Sequence, residues 1–214
     1  MEFVAETIAD LSPSLTLSIT SQAKKMREDG IDVCSFGAGE PDFDTPQHIK
    51  DAAIEALQGG ATKYTAVAGI MPQRKLLSKK LREENHVNYE PEQISINCGA
   101  KHSCFNAIMA CCDAGDEVII PSPYWTSYPE MIGLARATSV FAAGSEENDF
   151  RLSPDDLERV ATPATKGLLF SSPCNPTGVV YGKDELKAVA EWARDRGVWL
   201  ISDEIYQQIY FGEG

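Results

Sequence analysis

Four short segments of this 214-residue chain carry residue types that are poor at packing and suited to binding a ligand. They are residues 98–102 (CGAKH), 121–125 (PSPYW), 172–178 (SPCNPTG) and the acidic pair at 203–204. Each follows an apolar run that predicts a strand, and open parallel sheets bind ligands beyond the carboxyl ends of their strands. The pattern therefore predicts that the four segments form one composite site.

The segments offer different kinds of contact. The glycine turn at 99–101 opens a predicted helix, whose free N–H groups and positive dipole end suit a phosphate. Trp125 can stack on a flat ring, and a cis Asn175–Pro176 bond can aim the Asn175 amide inward. Asp203 lies at the carboxyl end of a predicted buried strand, and its carboxylate is costly to bury unless a cation pairs with it. Together these contacts describe a phosphorylated aromatic cation.

Each feature alone also has a plain structural explanation. The glycine turn can be a simple connection, Trp125 a core residue, the Asn-Pro pair an ordinary turn and Asp203 a helix cap. Two nucleotide-binding patterns fail in this sequence. Residues 178–184 (GVVYGKD) are one residue short of a GxxxxGK[ST] loop, and Asp42 stands where a dinucleotide fingerprint needs its third glycine.

The elements that would position these residues alternate along the chain. Strands are predicted at 93–97, 117–121, 138–143, 167–172 and 198–202, several of them apolar enough to be covered on both faces. Between them, Ser153 is expected to cap one helix, and another helix over 183–196 is expected to end at Gly197. This alternation predicts an α/β domain with a mostly parallel sheet.

The part before residue 94 has a different pattern. Residues 45–58 predict a helix capped by Thr45 and opened by Pro46, and a second helix is expected over 72–85. The first 45 residues predict an arm and a connecting segment outside the sheet.

Composition limits the possible partners and compartment. The formal net charge of −13 argues against nucleic acid and anionic lipid as partners. No run is apolar enough for a membrane span, and the N-terminus has no basic segment of a secretory signal, so a cytoplasmic protein is expected. The six cysteines and three histidines show no zinc spacing, which predicts no metal site and small buried thiols.

Six segments in a fixed order cover nearly the whole chain: 37–46 (GAGEPDFDTP), 62–70 (TKYTAVAGI), 97–103 (NCGAKHS), 121–131 (PSPYWTSYPEM), 172–178 (SPCNPTG) and 202–206 (SDEIY). In this combination they resemble the fold-type I, pyridoxal-phosphate-dependent aminotransferases of class I, especially the bacterial and plastid aspartate/prephenate branch. The resemblance implies residues 1–45 as an N-terminal arm and small-domain segment. Residues 46–214 would be a cofactor-binding large domain with helices on both faces of its sheet, truncated before its last strands.

The resemblance also implies roles for the site residues. Ala100 and Lys101 would give backbone N–H groups to the cofactor phosphate, and Trp125 would stack on the pyridine ring. Asn175 and Tyr206 would bind the ring's O3′ oxygen. Asp203 would pair with the protonated ring nitrogen, which lets the ring take electrons from the substrate. Ser122–Pro123 and Asn175–Pro176 would be cis.

Substrate and subunit contacts follow from the same resemblance. The substrate's α-carboxylate end would be contacted by Gly39 and Asn175, beside Trp125. Its distal carboxylate would be contacted by Thr16 and Lys101. This implies aspartate or glutamate as amino donor and a 2-oxo acid as acceptor, with prephenate as one candidate acceptor. Tyr64 would reach the phosphate of a neighbouring subunit, which implies a homodimer.

The family's Schiff-base lysine lies in a later segment, and no lysine of this chain has a matching context. The expectation is therefore an N-terminal fragment that is inactive alone. Two other functions stay open: another fold-type I enzyme, such as an aromatic or alanine aminotransferase or a β-lyase, and a non-catalytic cofactor-binding remnant.

Overall fold

The computed structural model describes residues 3–9, 11, 15–37, 39, 41 and 43–212. Asp42 lies outside these residues. The chain forms two compact units, one of Met1–Leu15 with Gly99–Gly214 and the other of Thr16–Cys98. The predicted division of the whole protein at residue 45 stays a prediction.

The helices and strands are, in chain order, α1 (Glu6–Ala9), α2 (Leu15–Glu28), α3 (Gln47–Gln58), α4 (Met71–Glu84), α5 (Ala100–Cys111), β1 (Glu117–Ser122), α6 (Ser127–Leu134), β2 (Thr138–Ala143), α7 (Pro154–Val160), β3 (Thr165–Ser171), α8 (Lys183–Arg196) and β4 (Trp199–Asp203). Short 3-10 turns occupy Pro91–Gln93 and Glu146–Asn148.

The strands form a parallel sheet in the order β2-β1-β3-β4. Side chains alternate between its faces, so neighbouring residues of one strand enter different cores. Val118 and Ile120 pack with residues of α5 and α6, whereas Ile119 packs with residues of α7 and α8. Helices therefore cover both faces, which confirms the predicted α/β class and explains the nearly continuous apolar runs.

The predicted strand at 93–97 is wrong. Residues 94–97 have no regular secondary structure, and the N–H of Ile96 donates to the carbonyl of Ala68 at 3.0 Å. A strand exists only where a neighbour completes its hydrogen bonds. Among the described residues, none pairs with this segment as a strand.

The helix boundaries agree with most of the predicted signals. Ser153 caps α7 in a capping box with Asp156, and Gly197 ends α8 at a positive φ of 71°. The expected cap at Thr45 is wrong, because α3 begins at Gln47 after Pro46 without a side-chain cap. Pro46 occupies the N-cap position in place of Thr45, and its side chain has no oxygen that could accept from the first N–H groups of the helix.

The prediction of small buried thiols is wrong for three of the six cysteines. None of the six, all of which the structure describes, forms a disulfide; Cys104 is buried, whereas Cys34, Cys98 and Cys111 are exposed. Over the residues that the structure describes, no helix is long and apolar enough to cross a membrane.

Gly167 allows a close approach between β3 and β4. It pairs with Trp199, and a Cβ at Gly167 would lie 2.1 Å from an atom of the indole ring. We expect Gly167→Ala to lower the free energy of unfolding by about 1–3 kcal/mol, because the ring cannot move without disturbing the packed core. Urea unfolding of the complete protein, meaning the product of the whole reading frame that contains these residues, measures this change.

Gly133→Ala is the matched control. Gly133 is exposed on α6, and a Cβ there would have no atom within 4 Å. Alanine should raise the free energy of unfolding by about 0.5–1 kcal/mol at this helical position. Equal stability of the two variants would contradict the proposed crowding at Trp199.

Candidate active site

A cavity of about 240 Å³ lies at the carboxyl ends of the strands. Each of the four sequence segments contributes to its lining, together with residues that lie next to them in the chain. The lining residues are Gly99, Ala100, Lys101, Trp125, Tyr128, Ser171, Asn175, Asp203, Ile205 and Tyr206. The parallel sheet brings these segments together because β1, β3 and β4 all end at one edge.

Asp203 ends β4 and is only 7% exposed. Its Oδ2 accepts a hydrogen bond from the Tyr128 hydroxyl at 2.8 Å and faces the Cys104 thiol at 3.9 Å. Its Oδ1 accepts from the Ile205 N–H at 3.2 Å. Within the described ranges, no lysine, arginine or histidine forms an ion pair with this carboxylate. The carboxylate is thus bound by neutral donors only, which suits a cationic ligand in the cavity.

The two side-chain donors keep their protons. Burial raises the pKa of the Cys104 thiol to about 11, and the nearby Asp203 charge adds to this shift. Burial also raises the pKa of Tyr128, with a further contribution from its hydrogen bond to Asp203. Both groups therefore act as hydrogen-bond donors at neutral pH.

Trp125 presents an aromatic surface to the cavity. Its ring meets Tyr128 edge to face, with centroids 5.3 Å apart and an angle of 88°. The Lys101 Nζ lies 4.8 Å from the Trp125 ring centroid, within the range of a cation–π contact. One wall of the cavity therefore combines a flat ring with a nearby positive charge.

Asn175 and Tyr206 add polar groups to the lining. The Asn175 amide nitrogen donates to the Tyr206 hydroxyl at 3.4 Å, and both residues are half-buried. The predicted cis bonds at Ser122–Pro123 and Asn175–Pro176 are confirmed, and Ser172–Pro173 is also cis.

The first turn of α5 supplies backbone donors. Gly99 has a positive φ of 85°, which reverses the chain so that the helix begins at Ala100. The first N–H groups of a helix have no intrahelical carbonyl to bind, and the helix dipole is positive there. Ala100 and Lys101 thus provide a place for an anionic group at one end of the cavity.

The remaining predicted site residues belong to the unit Thr16–Cys98. Thr16 is an exposed residue of α2, Gly39 lies outside the helices, and the Tyr64 side chain is fully exposed. Their predicted contacts with substrate and with a second subunit stay predictions.

Sequence reasoning missed Tyr128 and Cys104. Tyr128 follows Trp125 by only three residues, within the segment 121–131 that the sequence singled out, and this signal was available. Cys104 had no such signal, because only the packing of α5 beside β4 brings its thiol to Asp203.

Comparisons with known proteins place the chain in a family. The family model "Aminotransferase class I and II" matches residues 31–214. The chain is 45% identical over 98% of its length to aspartate aminotransferase of Geobacillus stearothermophilus, covering 53% of that protein. It is 44% identical over its full length to the probable aspartate/prephenate aminotransferase of Rhizobium leguminosarum bv. phaseoli, covering 54% of it.

A solved structure shows the same relationship. Aspartate aminotransferase from Thermus thermophilus with maleate superposes with a TM-score of 0.96 at 42% identity, over 100% of this chain and 56% of that one. The chain thus spans about half the length of the relatives it matches. With a family model covering most of its residues and relatives of this similarity, the chain belongs to the class I and II aminotransferases.

Proposed function

We propose that the chain is part of a pyridoxal-phosphate-dependent aminotransferase that moves an amino group between aspartate or glutamate and a 2-oxo acid. The observation that carries the proposal is the buried Asp203 carboxylate. It lies in a cavity with Trp125 and Asn175 and is bound by neutral donors only. A pyridinium nitrogen is a cationic partner of the right shape for such a site.

Six residues of the cavity have a proposed task. The N–H groups of Ala100 and Lys101 bind the phosphate, Trp125 covers one face of the ring, and Asn175 and Tyr206 orient the ring through its hydroxyl oxygen. Asp203 keeps the ring nitrogen protonated. When bound, the cofactor supplies an acceptor for the electron pair of the substrate's α-carbon.

The proposed dicarboxylic substrate rests on Lys101 and on the relatives' names. Lys101 is exposed at the mouth of the cavity, with its ammonium group over Trp125. There it can attract a distal carboxylate while its backbone N–H serves the phosphate. Thr16 is proposed to contact the same carboxylate, and Gly39 with Asn175 the α-carboxylate. Two relatives are named for aspartate/prephenate and aspartate, which supports this choice.

Lys101→Ala tests the substrate assignment in the complete protein, meaning the product of the whole reading frame that contains these residues. We expect kcat/KM for aspartate to fall about tenfold, because a charge-assisted hydrogen bond contributes about 1.5 kcal/mol. The value for alanine should change little. Lys187→Ala, which removes an exposed lysine from α8, is the control. A Lys101 variant with unchanged kcat/KM for both amino donors would contradict the assignment.

We further propose a cytoplasmic homodimer in which Tyr64 contacts the partner's phosphate, with residues 1–45 as arm and small-domain segment and 46–214 as part of the large domain. The exposed Tyr64 side chain is consistent with a role between subunits.

The isolated 214 residues are proposed to be an inactive part of the enzyme. No lysine has the context of the family's Schiff-base lysine, and apolar side chains after β4, including Ile205, Ile209 and Phe211, are exposed. A cooperative melt of the isolated chain together with measurable aspartate turnover would contradict this proposal.

A further inference from the structure

Two side chains from different helices meet one oxygen of Asp203. Tyr128 of α6 donates to Oδ2 at 2.8 Å, and the Cys104 thiol of α5 lies 3.9 Å from the same atom. The tyrosine is 3% exposed and the cysteine 5% exposed. Neither residue belongs to the proposed set of cofactor contacts.

The two donors approach the carboxylate from different surroundings. Tyr128 and Asp203 both line the cavity, whereas Cys104 is absent from its lining and lies in the core beside Ile108 and Val118. The other carboxylate oxygen, Oδ1, accepts the Ile205 N–H at 3.2 Å. The carboxylate is thus held at both oxygens by three donors.

The need for such support follows from the side chain itself. The torsion that rotates an aspartate carboxylate is broad, so its rotamer alone does not fix the plane of the two oxygens. A carboxylate binds a ring nitrogen more tightly when its two oxygens are already held in the plane that the hydrogen bond requires before the ligand binds.

Tyr128 also links the carboxylate to the aromatic wall. Its ring packs edge to face against Trp125 at 5.3 Å while its hydroxyl binds Asp203. Tyr128 therefore contacts both the proposed stacking ring and the carboxylate, and so helps to fix the position of one relative to the other.

We infer that Tyr128 and Cys104 are positioning residues, which hold the Asp203 carboxylate in the orientation that pairs with a protonated ring nitrogen. This inference rests on the proposed function, since it needs a pyridine ring in the cavity. Tyr128 makes the larger contribution, because its hydroxyl is the stronger donor at the shorter distance. The raised pKa values of both groups agree with this role, since each keeps its proton at neutral pH.

The test uses two ligands that differ in one ring atom. The first is deoxypyridoxine phosphate, which lacks the reactive aldehyde, and the second is its analogue with CH in place of the ring nitrogen. Calorimetry on the complete protein gives the dissociation constant of each ligand, and the ratio of the two isolates the contact at the ring nitrogen. A loss of packing weakens both ligands alike and leaves this ratio unchanged.

In the unmodified protein we expect the nitrogen-containing ligand to bind about 30-fold more tightly or better. Asp203→Asn should bring the ratio close to one. Tyr128→Phe should lower the ratio about tenfold, since it removes a donor to a charged group. Cys104→Ala should lower it about threefold, whereas Cys104→Ser, which keeps a donor, should preserve it.

The outcomes distinguish a failure of the proposed function from a failure of the positioning role. A ratio near one in the unmodified protein contradicts the proposed function. A large ratio there that stays the same or rises in Tyr128→Phe and Cys104→Ala overturns the positioning role. If Tyr128→Phe does not fold, the Cys104→Ala and Cys104→Ser pair decides, because these side chains differ by one atom.

Discussion

Asp203→Asn should weaken the binding of pyridoxal phosphate to the complete protein by about 30-fold or more. The carboxylate is buried at the end of β4 and forms no ion pair with a described basic residue, so the ligand's ring nitrogen is its proposed cationic partner. Truncating one member of a buried charge pair costs about 2–5 kcal/mol. Transamination should fall as well, because a neutral amide does not hold the ring nitrogen protonated. Equilibrium titration by fluorescence and a steady-state assay measure the two effects.

Glu204→Gln is the matched control for this variant. Glu204 is the next residue in the chain, but it is exposed, and its carboxylate accepts a hydrogen bond from Ser202 at 2.8 Å. Its neutralisation should leave cofactor affinity within about twofold, since exposed charges contribute little. If Asp203→Asn bound pyridoxal phosphate as tightly as Glu204→Gln does, the assigned role of Asp203 would be wrong.

Ala100→Pro should weaken the binding of the phosphorylated cofactor by about 10- to 100-fold without disturbing α5. Proline is tolerated at the first position of a helix, as Pro154 of α7 shows in this chain. The ψ of 167° at Gly99 is extended, which suits a residue before proline. The substitution thus removes one N–H donor, and a hydrogen bond to a charged group contributes about 1.5–3 kcal/mol. Parallel titrations with pyridoxal phosphate and pyridoxal measure the effect.

Unphosphorylated pyridoxal and Ala100→Ser provide the controls for this prediction. Pyridoxal makes no phosphate contact, so its affinity should be similar in Ala100→Pro and the unmodified protein. Ala100→Ser keeps the backbone N–H and should bind both ligands normally. An equal loss of affinity for pyridoxal and pyridoxal phosphate would show that proline distorts the cavity. This result would contradict the phosphate contact assigned to α5.

The sheet was predictable because its strands are buried on two faces. Ile119 and Ile120 enter different cores, as do Leu168 and Leu169, which is why these strands are almost continuous in apolar residues. The α7 cap at Ser153 and the α8 end at Gly197 were predictable for local reasons, since each depends on residues within one turn.

Two of the wrong predictions concern features that local sequence does not determine. The apolar alternation at 94–97 favours a strand, but strand pairing depends on a neighbour that this pattern cannot specify. Thr45 has the right type for a cap, yet α3 begins one residue later than predicted, so Pro46 occupies the cap position.

The candidate site also contains residues that the sequence predicted and contacts that it did not. Trp125, Asn175 and Asp203 were found because each lies where a strand ends, and the carboxyl ends of parallel strands share one edge. The contacts of Cys104 and Tyr128 with Asp203 were not found, because they join residues 99 and 75 positions apart in the chain. Only the packing of α5 and α6 on the sheet creates them.

A crystal structure of the complete protein with pyridoxal phosphate tests the central claim most directly, through the distance from the ring nitrogen to the Asp203 carboxylate. The account predicts about 2.7–2.9 Å, the length of a charge-assisted hydrogen bond, with the ring against Trp125 and the phosphate at the first turn of α5. A ligand bound elsewhere, or a ring nitrogen with no contact to Asp203, would contradict it.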